Sequence, residues 1–372
     1  MRRVFKGLAG AALAGALLAC SSTDKPKPTP LEIFESRIAG RAVWNVRLPA
    51  PTLGVAPIVR NGVLFVASAD GTVLALQADT GAEVWRTSAG SALAAGVGSD
   101  GRYTSVVTRG NEIVTFDAGR ELWRKRLPSS VVTAPLVAGE RVFVLSVDRA
   151  VHAFDALDGR RLWVQQRPGE ALTLAQPSVV LAYRNTLLVG QGPRLAALDS
   201  LRGTVLWEAP MAAPRGTNEV ERLADLIGPA VRIGDRICAR AFQSAVACAD
   251  ASKGSVLWSR NVGGVNAVAS DNERVFGADA SDRISAWRTT NGDVSWTSEK
   301  LLYRGLSGAL AVGPSVVFGD SEGFLHFLAA ADGTLQLRLP TDGSAIVGTP
   351  VISDTTMIAV TRNGALFAFR PN

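Results

Sequence analysis

The residues of this chain best able to do chemistry are two histidines, His152 and His326, and three cysteines, Cys20, Cys238 and Cys248. A zinc site needs Cys, His or acidic ligands at short spacings, and the sequence has no such cluster. A Ser-His-Asp hydrolase would have to use one of the two histidines as its base. The sequence contains neither a nucleophile elbow nor a P-loop. We therefore expect no metal site and no enzymatic activity from these residues.

The charge balance gives little support to a nucleic-acid partner. The formal net charge is +6, from 39 Lys and Arg and 33 Asp and Glu. Three of the cations, Arg2, Arg3 and Lys6, lie in a segment with the features of a removable targeting signal. Without them, 36 basic and 33 acidic residues remain, a net charge of +3. Such a chain lacks the basic excess typical of phosphate binding, so we expect no nucleic-acid partner.

The N-terminus has the organisation of a secretion signal. An uncharged run of 13 residues, Gly7 to Ala19, follows the basic start and is too short to span a bilayer as a helix. We predict a signal peptide over residues 1–19. The sequence Leu17-Leu18-Ala19-Cys20 resembles the lipobox of bacterial lipoproteins, although an ordinary signal peptide followed by a chance Cys is the alternative. With Ser21 next, the resemblance implies a lipid on Cys20 and a place on the periplasmic face of the outer membrane.

The segment after the lipobox is predicted to be a tether. Residues 21–30 contain three Pro and no aliphatic or aromatic side chain, so they cannot bury apolar surface. We assign residues 20–37 to the lipid-bearing Cys and this tether, and residues 38–372 to one folded domain.

The folded domain repeats one unit. Its best marker is Gly-x-x-x-Trp, whose glycines are spaced by 41, 38, 40, 44, 51, 38 and 41 residues. An eighth copy has Gly333 but carries Leu337 at the Trp position. The seven tryptophans of the marker are Trp44, Trp85, Trp123, Trp163, Trp207, Trp258 and Trp296. This period is typical of propeller blades and is longer than that of ankyrin or leucine-rich repeats.

Each unit is predicted to be four short antiparallel strands. The apolar pattern alternates over Val63 to Ser68 and Thr72 to Gln77, with the hairpin pair Asp70-Gly71 between them. The last unit ends where its fourth strand should begin, and Gly40 to Val46 is a fourth strand without the preceding three. We therefore predict an all-β fold, an eight-bladed β-propeller of four-stranded blades. The N-terminal strand would close the ring by joining the C-terminal blade.

Three repeat positions are predicted to be structural. The recurring Trp is expected to wedge between blades rather than to line a ligand site. Small residues recur in one slot of the third strand, namely Ala75, Ala153, Ala197, Cys248, Ala286 and Ala368. The two histidines share the repeat position of Leu74, which indicates a structural role.

Cys238 and Cys248 are a candidate disulfide pair on neighbouring strands. A three-residue loop at residues 242–244 would place them opposite each other, where an oxidising compartment would allow a bond. A two-residue turn would separate them, and the sequence leaves both arrangements open.

The repeat resembles that of one enzyme family. The cadence from Ala153-x-Asp155 to Trp163 is similar to the repeat of pyrroloquinoline-quinone enzymes, whose eight-bladed propellers hold the quinone and a calcium ion at the axis. The resemblance implies an alternative function, a quinone-dependent dehydrogenase or a quinone-binding sensor. Those enzymes typically place a disulfide of adjacent cysteines against the cofactor, and no two cysteines are adjacent here.

A closer resemblance covers almost the whole chain after the signal. The stretches Asn218 to Asp225, Leu301 to Arg304 and Gly319 to His326, together with the lipobox, resemble the BamB family of lipoproteins of the outer-membrane β-barrel assembly machine. The resemblance implies a non-enzymatic scaffold without a cofactor. It would bind the periplasmic domains of the barrel-forming subunit BamA and other Bam subunits, and it would assist the folding and insertion of β-barrel proteins. Unfolded outer-membrane proteins are implied as further partners.

The same resemblance suggests where BamA would bind. The matching positions are Leu172 and Leu174, and Arg222 and Asp225 in the insertion that lengthens one repeat to 51 residues. Binding residues concentrate on loops held by a rigid scaffold, although a solvated surface loop is the plainer interpretation. A structural propeller that serves another envelope complex is a further alternative.

Overall fold

The computed structural model describes residues 26–51, 53, 56–167 and 172–372, and these residues contain strands and turns without a helix. The predicted signal peptide and Cys20 lie outside the described residues. Within the described part of the chain there is consequently no helix with the length and apolar character to cross a membrane. Residues 26–39 precede the first strand, and several of them contact the domain instead of running clear of it.

The described strands form eight four-stranded antiparallel sheets, the blades. The first strand, β1 (Gly40–Arg47), belongs to the last blade. Blade 1 comprises β2 (Ile58–Arg60), β3 (Val63–Ala67), β4 (Thr72–Gln77) and β5 (Glu83–Ser88). Blade 2 comprises β6 (Gly98–Ser99), β7 (Tyr103–Val107), β8 (Glu112–Asp117) and β9 (Arg120–Arg126). Blade 3 comprises β10 (Leu136–Ala138), β11 (Arg141–Leu145), β12 (Val151–Asp155) and β13 (Arg161–Gln165).

The remaining blades follow in chain order. Blade 4 comprises β14 (Val180–Tyr183), β15 (Thr186–Gln191), β16 (Arg194–Asp199) and β17 (Val205–Pro210). Blade 5 comprises β18 (Leu226–Ile233), β19 (Arg236–Ala241), β20 (Ala245–Asp250) and β21 (Ser255–Arg260). Blade 6 comprises β22 (Ala269–Ser270), β23 (Arg274–Ala278), β24 (Ile284–Arg288) and β25 (Val294–Ser298). Blade 7 comprises β26 (Leu310–Val312), β27 (Ser315–Gly319), β28 (Phe324–Ala329) and β29 (Leu335–Pro340). Blade 8 comprises β30 (Ile346–Ser353), β31 (Thr356–Thr361) and β32 (Ala365–Pro371), with β1 as its outer strand.

The two ends of the chain close the ring. Strand β1 pairs with β32 from Gly40 opposite Pro371 to Arg47 opposite Ala365. The predicted eight-bladed propeller and its closure by the N-terminal strand are confirmed. Closure gives the last blade its fourth strand and leaves no incomplete sheet for another chain to pair with.

The Gly-x-x-x-Trp marker joins one blade to the next. The indole of Trp44 lies against Gly81 and that of Trp123 against Gly159. A Cβ atom on these glycines would lie 2.8 and 2.5 Å from the ring, and their φ angles are +72° and +69°. Glycine is thus required both for space and for backbone conformation. The Nε1 of Trp123 also donates to the carbonyl oxygen of Ala156, which lies 2.9 Å away and follows β12 in blade 3.

Blade 7, which lacks the marker Trp, carries its bulky side chain on the third strand instead of the fourth. In other blades a small residue lies opposite the Trp, as Ala75 does opposite Trp85. In blade 7 the bulky Phe327 lies opposite Leu337. Because the large side chain moves to the third strand when the fourth strand loses it, the space between blades stays filled.

The two cysteines of blade 5 are opposite each other. The connection between β19 and β20 has three residues, 242–244, so Cys238 is in register with Cys248. The structure joins them in a disulfide, with Cα atoms 4.0 Å apart. Both side chains are buried between strands and beside Trp258.

Candidate partner-binding site

Strand direction gives the propeller two distinct faces. The face that carries the connections from the fourth strand of one blade to the first strand of the next is here called the connecting face. It includes the described residues of the connections at 166–167 and 172–179, 211–225, 261–268 and 299–309. Because the strands alternate in direction, the turns between second and third strands lie on the same face. Turns between third and fourth strands lie on the opposite face.

The structure brings together the four residues that the family resemblance indicated. Leu172 and Leu174 lie in the connection between blades 3 and 4, and Arg222 and Asp225 lie in the next connection, between blades 4 and 5. Leu172, Arg222 and Asp225 line one cavity of about 220 Å³ on the connecting face. Residues from two separate insertions therefore form one surface.

Asp225 holds this surface together. Its carboxylate accepts a hydrogen bond from the backbone N–H of Leu174 at 2.7 Å, which ties the two connections to each other. The Thr173 hydroxyl donates to the carbonyl oxygen of Val147 at 3.2 Å and ties the first connection to blade 3. The geometry gives Asp225 a positioning role in addition to any direct contact.

Apolar side chains of both connections are exposed or half-buried. Leu172 is 36% exposed, Val220 in the neighbouring insertion is 68% exposed, and Leu174 is half-buried. Arg222 is exposed and makes an interaction of its own within the protein. Protein interfaces bury apolar side chains at their centre and are enriched in arginine, and this surface offers both.

Sequence reasoning missed three arginines that line the same cavity, Arg149, Arg167 and Arg194. Arg167 forms a bidentate ion pair with Glu208, and its Nη2 lies 2.9 Å from one oxygen of that carboxylate. Arg149 lies in the turn between β11 and β12, and its Nη2 is 3.5 Å from the carbonyl oxygen of Leu172. The described wall of the cavity carries four arginines and one acidic residue, Asp225, and Glu208 offsets part of this positive charge through its ion pairs with Arg167 and Arg194.

One signal in the sequence could have found Arg149. The equivalent turn of blade 1 is Asp70-Gly71, and Gly71 has a φ of +107°. Arg149 takes this position in the pair Asp148-Arg149 with a φ of +63°. A side chain other than Gly in the left-handed region costs on the order of 1 kcal/mol, so such a residue is a candidate for function. Arg167 and Arg194 come from other segments, and no spacing links them to the site.

A second cluster of ionisable groups is buried on the connecting face at blade 7. The Nε of Arg304 donates to the carboxylate of Asp320 at 2.9 Å, and Nε2 of His326 lies 2.9 Å from the same carboxylate. Asp320 and His326 are fully buried. Two of the three stretches that carry the family resemblance, 301–304 and 319–326, therefore meet in one structural cluster. With no exposure to solvent, this His–Asp pair cannot reach a substrate.

The electrostatics of the cluster favour a neutral His and a charged Asp. Burial lowers the pKa of His326 and outweighs the nearby Asp320 carboxylate, which would raise it. Burial alone would raise the pKa of Asp320, but hydrogen bonds from His326, from the Phe324 amide and from Arg304 lower it below its ordinary value. The other histidine, His152, is also buried, and burial lowers its pKa too.

The axis of the propeller is where the enzyme family with similar repeats holds its quinone and calcium ion. First strands from around the ring line a cavity of about 750 Å³. Calcium takes carboxylate and carbonyl oxygens, and the described lining holds no Asp or Glu. Its polar side chains include the amides Gln176 and Asn266 and the single cation Arg60. Among the described residues no group of His, Cys, Asp and Glu side chains is arranged to hold a metal ion. The lining therefore does not fit the calcium-bound quinone.

Most of the chain is similar to one known protein family. The family model described as outer membrane protein assembly factor BamB matches residues 35–86 and 69–298. Outer membrane protein assembly factor BamB of Burkholderia pseudomallei is 34% identical over 377 residues, covering 100% of this chain and 99% of that protein. BamB of Bordetella pertussis is 34% identical, covering 97% of this chain and 95% of that protein. BamB of Escherichia coli is 24% identical, with 96% and 95% covered.

Solved structures show the same fold. BamB from Moraxella catarrhalis superposes with a TM-score of 0.81 at 21% identity, covering 89% of this chain and 100% of that one. Quinohemoprotein alcohol dehydrogenase from Comamonas testosteroni gives a TM-score of 0.69 at 16% identity, covering 89% of this chain and 76% of that one. At these identities both likenesses show a common propeller architecture and do not distinguish their functions.

Proposed function

This chain belongs to the BamB family of outer membrane protein assembly factors, and on that premise we propose that it docks BamA through the connecting face between blades 3 and 5. Its function is that of an outer membrane protein assembly factor, as in the relatives that match it from end to end. The dehydrogenase alternative is not supported, because these relatives bear the BamB name. We further propose that Cys20 carries the lipid anchor and that the propeller faces the periplasm.

One observation carries the choice of docking surface. Leu172 and Arg222 come from different connections and border one cavity, and the Asp225 carboxylate fixes these connections to each other. A preformed surface loses little conformational freedom on binding, so more of its contact energy remains as affinity.

Each of the four residues has a distinct role in the proposed complex. Leu172 and Leu174 supply apolar contact, and Arg222 contributes positive potential at the rim. Asp225 holds the backbone of Leu174 in place. The propeller is thus a rigid frame that presents a small binding surface, and its contribution to assembly is to hold and orient BamA together with the other subunits of the complex.

A charge-insertion experiment tests the docking surface. The double substitution Leu172→Arg and Leu174→Arg is expected to weaken binding of the purified BamA periplasmic domains at least tenfold. Apolar contact is lost, and positive charge is added to a surface that already carries it. The backbone bond from residue 174 to Asp225 does not depend on the side chain and should persist. Binding is measured by calorimetry, and the thermal midpoint verifies that the variant remains folded.

The chain offers a matched control on the opposite face. Leu157 and Leu201 occupy equivalent turns between third and fourth strands of blades 3 and 4, and they are 61% and 58% exposed. Leu157→Arg with Leu201→Arg should leave BamA binding unchanged. Unaltered binding by the first variant, or an equal loss in both, would reject the proposed surface.

A further inference from the structure

The segment that precedes the first strand lies along blade 7. This segment, residues 29–39, is here called the strap. At its start the backbone N–H of Thr29 donates to the carbonyl oxygen of Leu302 at 2.9 Å, in the connection between blades 6 and 7. Further on, the N–H of Arg37 donates to the carbonyl oxygen of Gln336 at 2.9 Å, near the start of β29. The strap therefore runs from the connecting face toward the opposite face, where β1 begins.

Apolar side chains of the strap pack against the domain. Leu31 and Phe34 pack against the core between blades 6 and 7. Ile38 packs against the core between blades 7 and 8. In contrast, Ile33 is fully exposed. Three apolar side chains within eight residues are thus partly buried, which is more than a solvated tether would achieve.

Two arginines of the domain hold the backbone of the strap. The Nη1 of Arg304 donates to the carbonyl oxygen of Thr29 at 3.0 Å, and the Nη1 of Arg338 donates to that of Glu32 at 3.2 Å. The guanidinium of Arg338 also lies 5.2 Å from the centre of the Phe34 ring, within the range of a cation–π contact. An exposed ion pair joins Lys300 to the Glu32 carboxylate at 2.8 Å.

The buried cluster beneath the strap fixes both arginines. Arg304 is 3% exposed and is oriented by the carboxylate of the fully buried Asp320. The same carboxylate holds Nε2 of His326, and Nδ1 of that ring lies 3.4 Å from the Nε of Arg338. The Asp320 carboxylate thus orients Arg304 directly and Arg338 through His326, and these two arginines bind the strap. Because the donors are oriented in advance, docking the strap costs little additional ordering of the domain.

We propose that the strap is a fixed root for the N-terminal membrane tether, and that it sets which face of the propeller lies toward the membrane. This inference rests on the lipid anchor at Cys20 in the proposed function. Eight residues lie between Cys20 and Thr29, and the nine Cα-to-Cα steps from one to the other can reach about 30 Å at most. A docked strap keeps the connecting face near the lipid, at the junction of blades 6 and 7. The residues proposed to bind BamA lie on that same face.

Release of the strap would remove this constraint. The eleven residues of the strap, 29–39, would join the tether and roughly double its reach to about 65 Å. The propeller would then turn freely, and its BamA-binding surface would no longer have a preferred direction. The strap is therefore a device for orientation, distinct from the contact with BamA itself.

Amide hydrogen exchange of the full chain tests whether the strap is docked. The Thr29 and Arg37 amides should exchange at least tenfold more slowly than unprotected amides. In the variant Leu31→Ser with Phe34→Ser this protection should fall at least tenfold, while amides of β28 keep theirs. The control Ile33→Ser removes an exposed side chain and should change nothing. Unprotected strap amides in the wild type, or equal loss of protection in the control, would overturn the proposal.

A distance measurement in vesicles tests the orientation without BamA. The lipidated protein carries a donor dye on one introduced cysteine, either Val220→Cys on the connecting face or Leu157→Cys on the opposite face. The acceptor dye is in the membrane of vesicles made of phosphatidylethanolamine and phosphatidylglycerol. Energy transfer should be stronger from position 220, and the strap variant should reduce the difference at least twofold. Equal transfer from both positions, or a difference that the strap variant leaves intact, would refute the orientation. Failure of the BamA contact alone would not alter this result.

Discussion

Two buried arginines at neighbouring blade junctions are held in different ways. Arg240, at the junction of blades 5 and 6, donates to four backbone carbonyl oxygens at 2.8 to 3.1 Å, those of Val262, Gly263, Asn266 and Ala278. Arg304, at the junction of blades 6 and 7, donates to the carboxylates of Asp320 and Glu322 and to the strap. Arg240 is fully buried and Arg304 is 3% exposed.

The difference appears in their electrostatics. Burial lowers the pKa of Arg240 to about 10, and Asp279 only partly offsets it. Burial also acts to lower the pKa of Arg304, but hydrogen bonds from its guanidinium to Glu322 and Asp320 outweigh it and raise the pKa. Both side chains are charged at neutral pH. Arg240 closes one junction through the backbone, whereas Arg304 belongs to a charge network that also receives the strap.

The largest expected effect comes from removing the cation of the first junction. Arg240→Met leaves four buried carbonyl oxygens without their donor, and each unsatisfied buried group costs about 1–3 kcal/mol. We expect the free energy of unfolding to fall by about 4 kcal/mol or more, measured by urea denaturation. A loss below about 1 kcal/mol would mean that water or a rearranged loop replaces the guanidinium, and the contrast between the junctions would disappear.

The second junction should depend on one carboxylate. Asp320→Asn leaves Arg304 without its buried counter-charge, and breaking a buried ion pair from one side costs about 3–5 kcal/mol. Glu322→Gln is the matched control, because this carboxylate pairs with the same arginine but is 52% exposed and should contribute about 0–1 kcal/mol. Equal losses of unfolding free energy in the two variants would show that Asp320 has no special role.

The junction of blades 6 and 7 should make the stability of the protein depend on pH, whereas the junction at Arg240 should not. Because the pKa of His326 is lowered from 6.5 in the folded chain, the unfolded chain takes up the proton first as pH falls. Stability is then lost from about pH 6.5 down to the folded-state pKa, by up to about 1.4 kcal/mol per pH unit for each such histidine. His152 adds a loss of the same sign. The Asp320 carboxylate adds another below its ordinary value of 3.8.

Substitution of His326 measures the contribution of this histidine to the pH dependence of stability. The stability of His326→Gln should change less between pH 7 and 5 than that of the wild type, and chemical denaturation at each pH measures the difference. Arg240 stays charged in this range, so Arg240→Met, which adds no titratable group, should keep the wild-type slope. An unchanged slope in His326→Gln would show that the ring is already protonated or solvated in the folded protein.

The fold was predictable because its main contact recurs in seven of the eight repeats. A Trp from one blade packs on the Gly of the next, as Trp44 does on Gly81, so one spacing in the sequence encodes the ring. The arrangement of Cys238 and Cys248 was not decided, since a change of one residue in the turn length shifts the register between the strands. That choice depends on the backbone of residues 242–244, which composition does not determine.

The site was only partly predictable. Leu172 and Arg222 were found through resemblance to a family, whereas Arg149 enters the same cavity from a turn that no sequence spacing connects to them. The strap was missed because the Pro-rich residues 21–30 dominated the interpretation of the whole segment before β1. Leu31 and Phe34 were the apolar signal within it, and their packing depends on tertiary contacts with blade 7.

Site-specific photo-crosslinking in cells tests the central claim most directly, because it asks which molecule lies against the connecting face. A photoreactive residue placed at position 172 should form an adduct with BamA. The same residue at position 157, a Leu that is 61% exposed on the opposite face of the neighbouring blade, should form little or none. BamA captured equally from both positions, or from position 157 alone, would contradict the proposed docking through the connecting face.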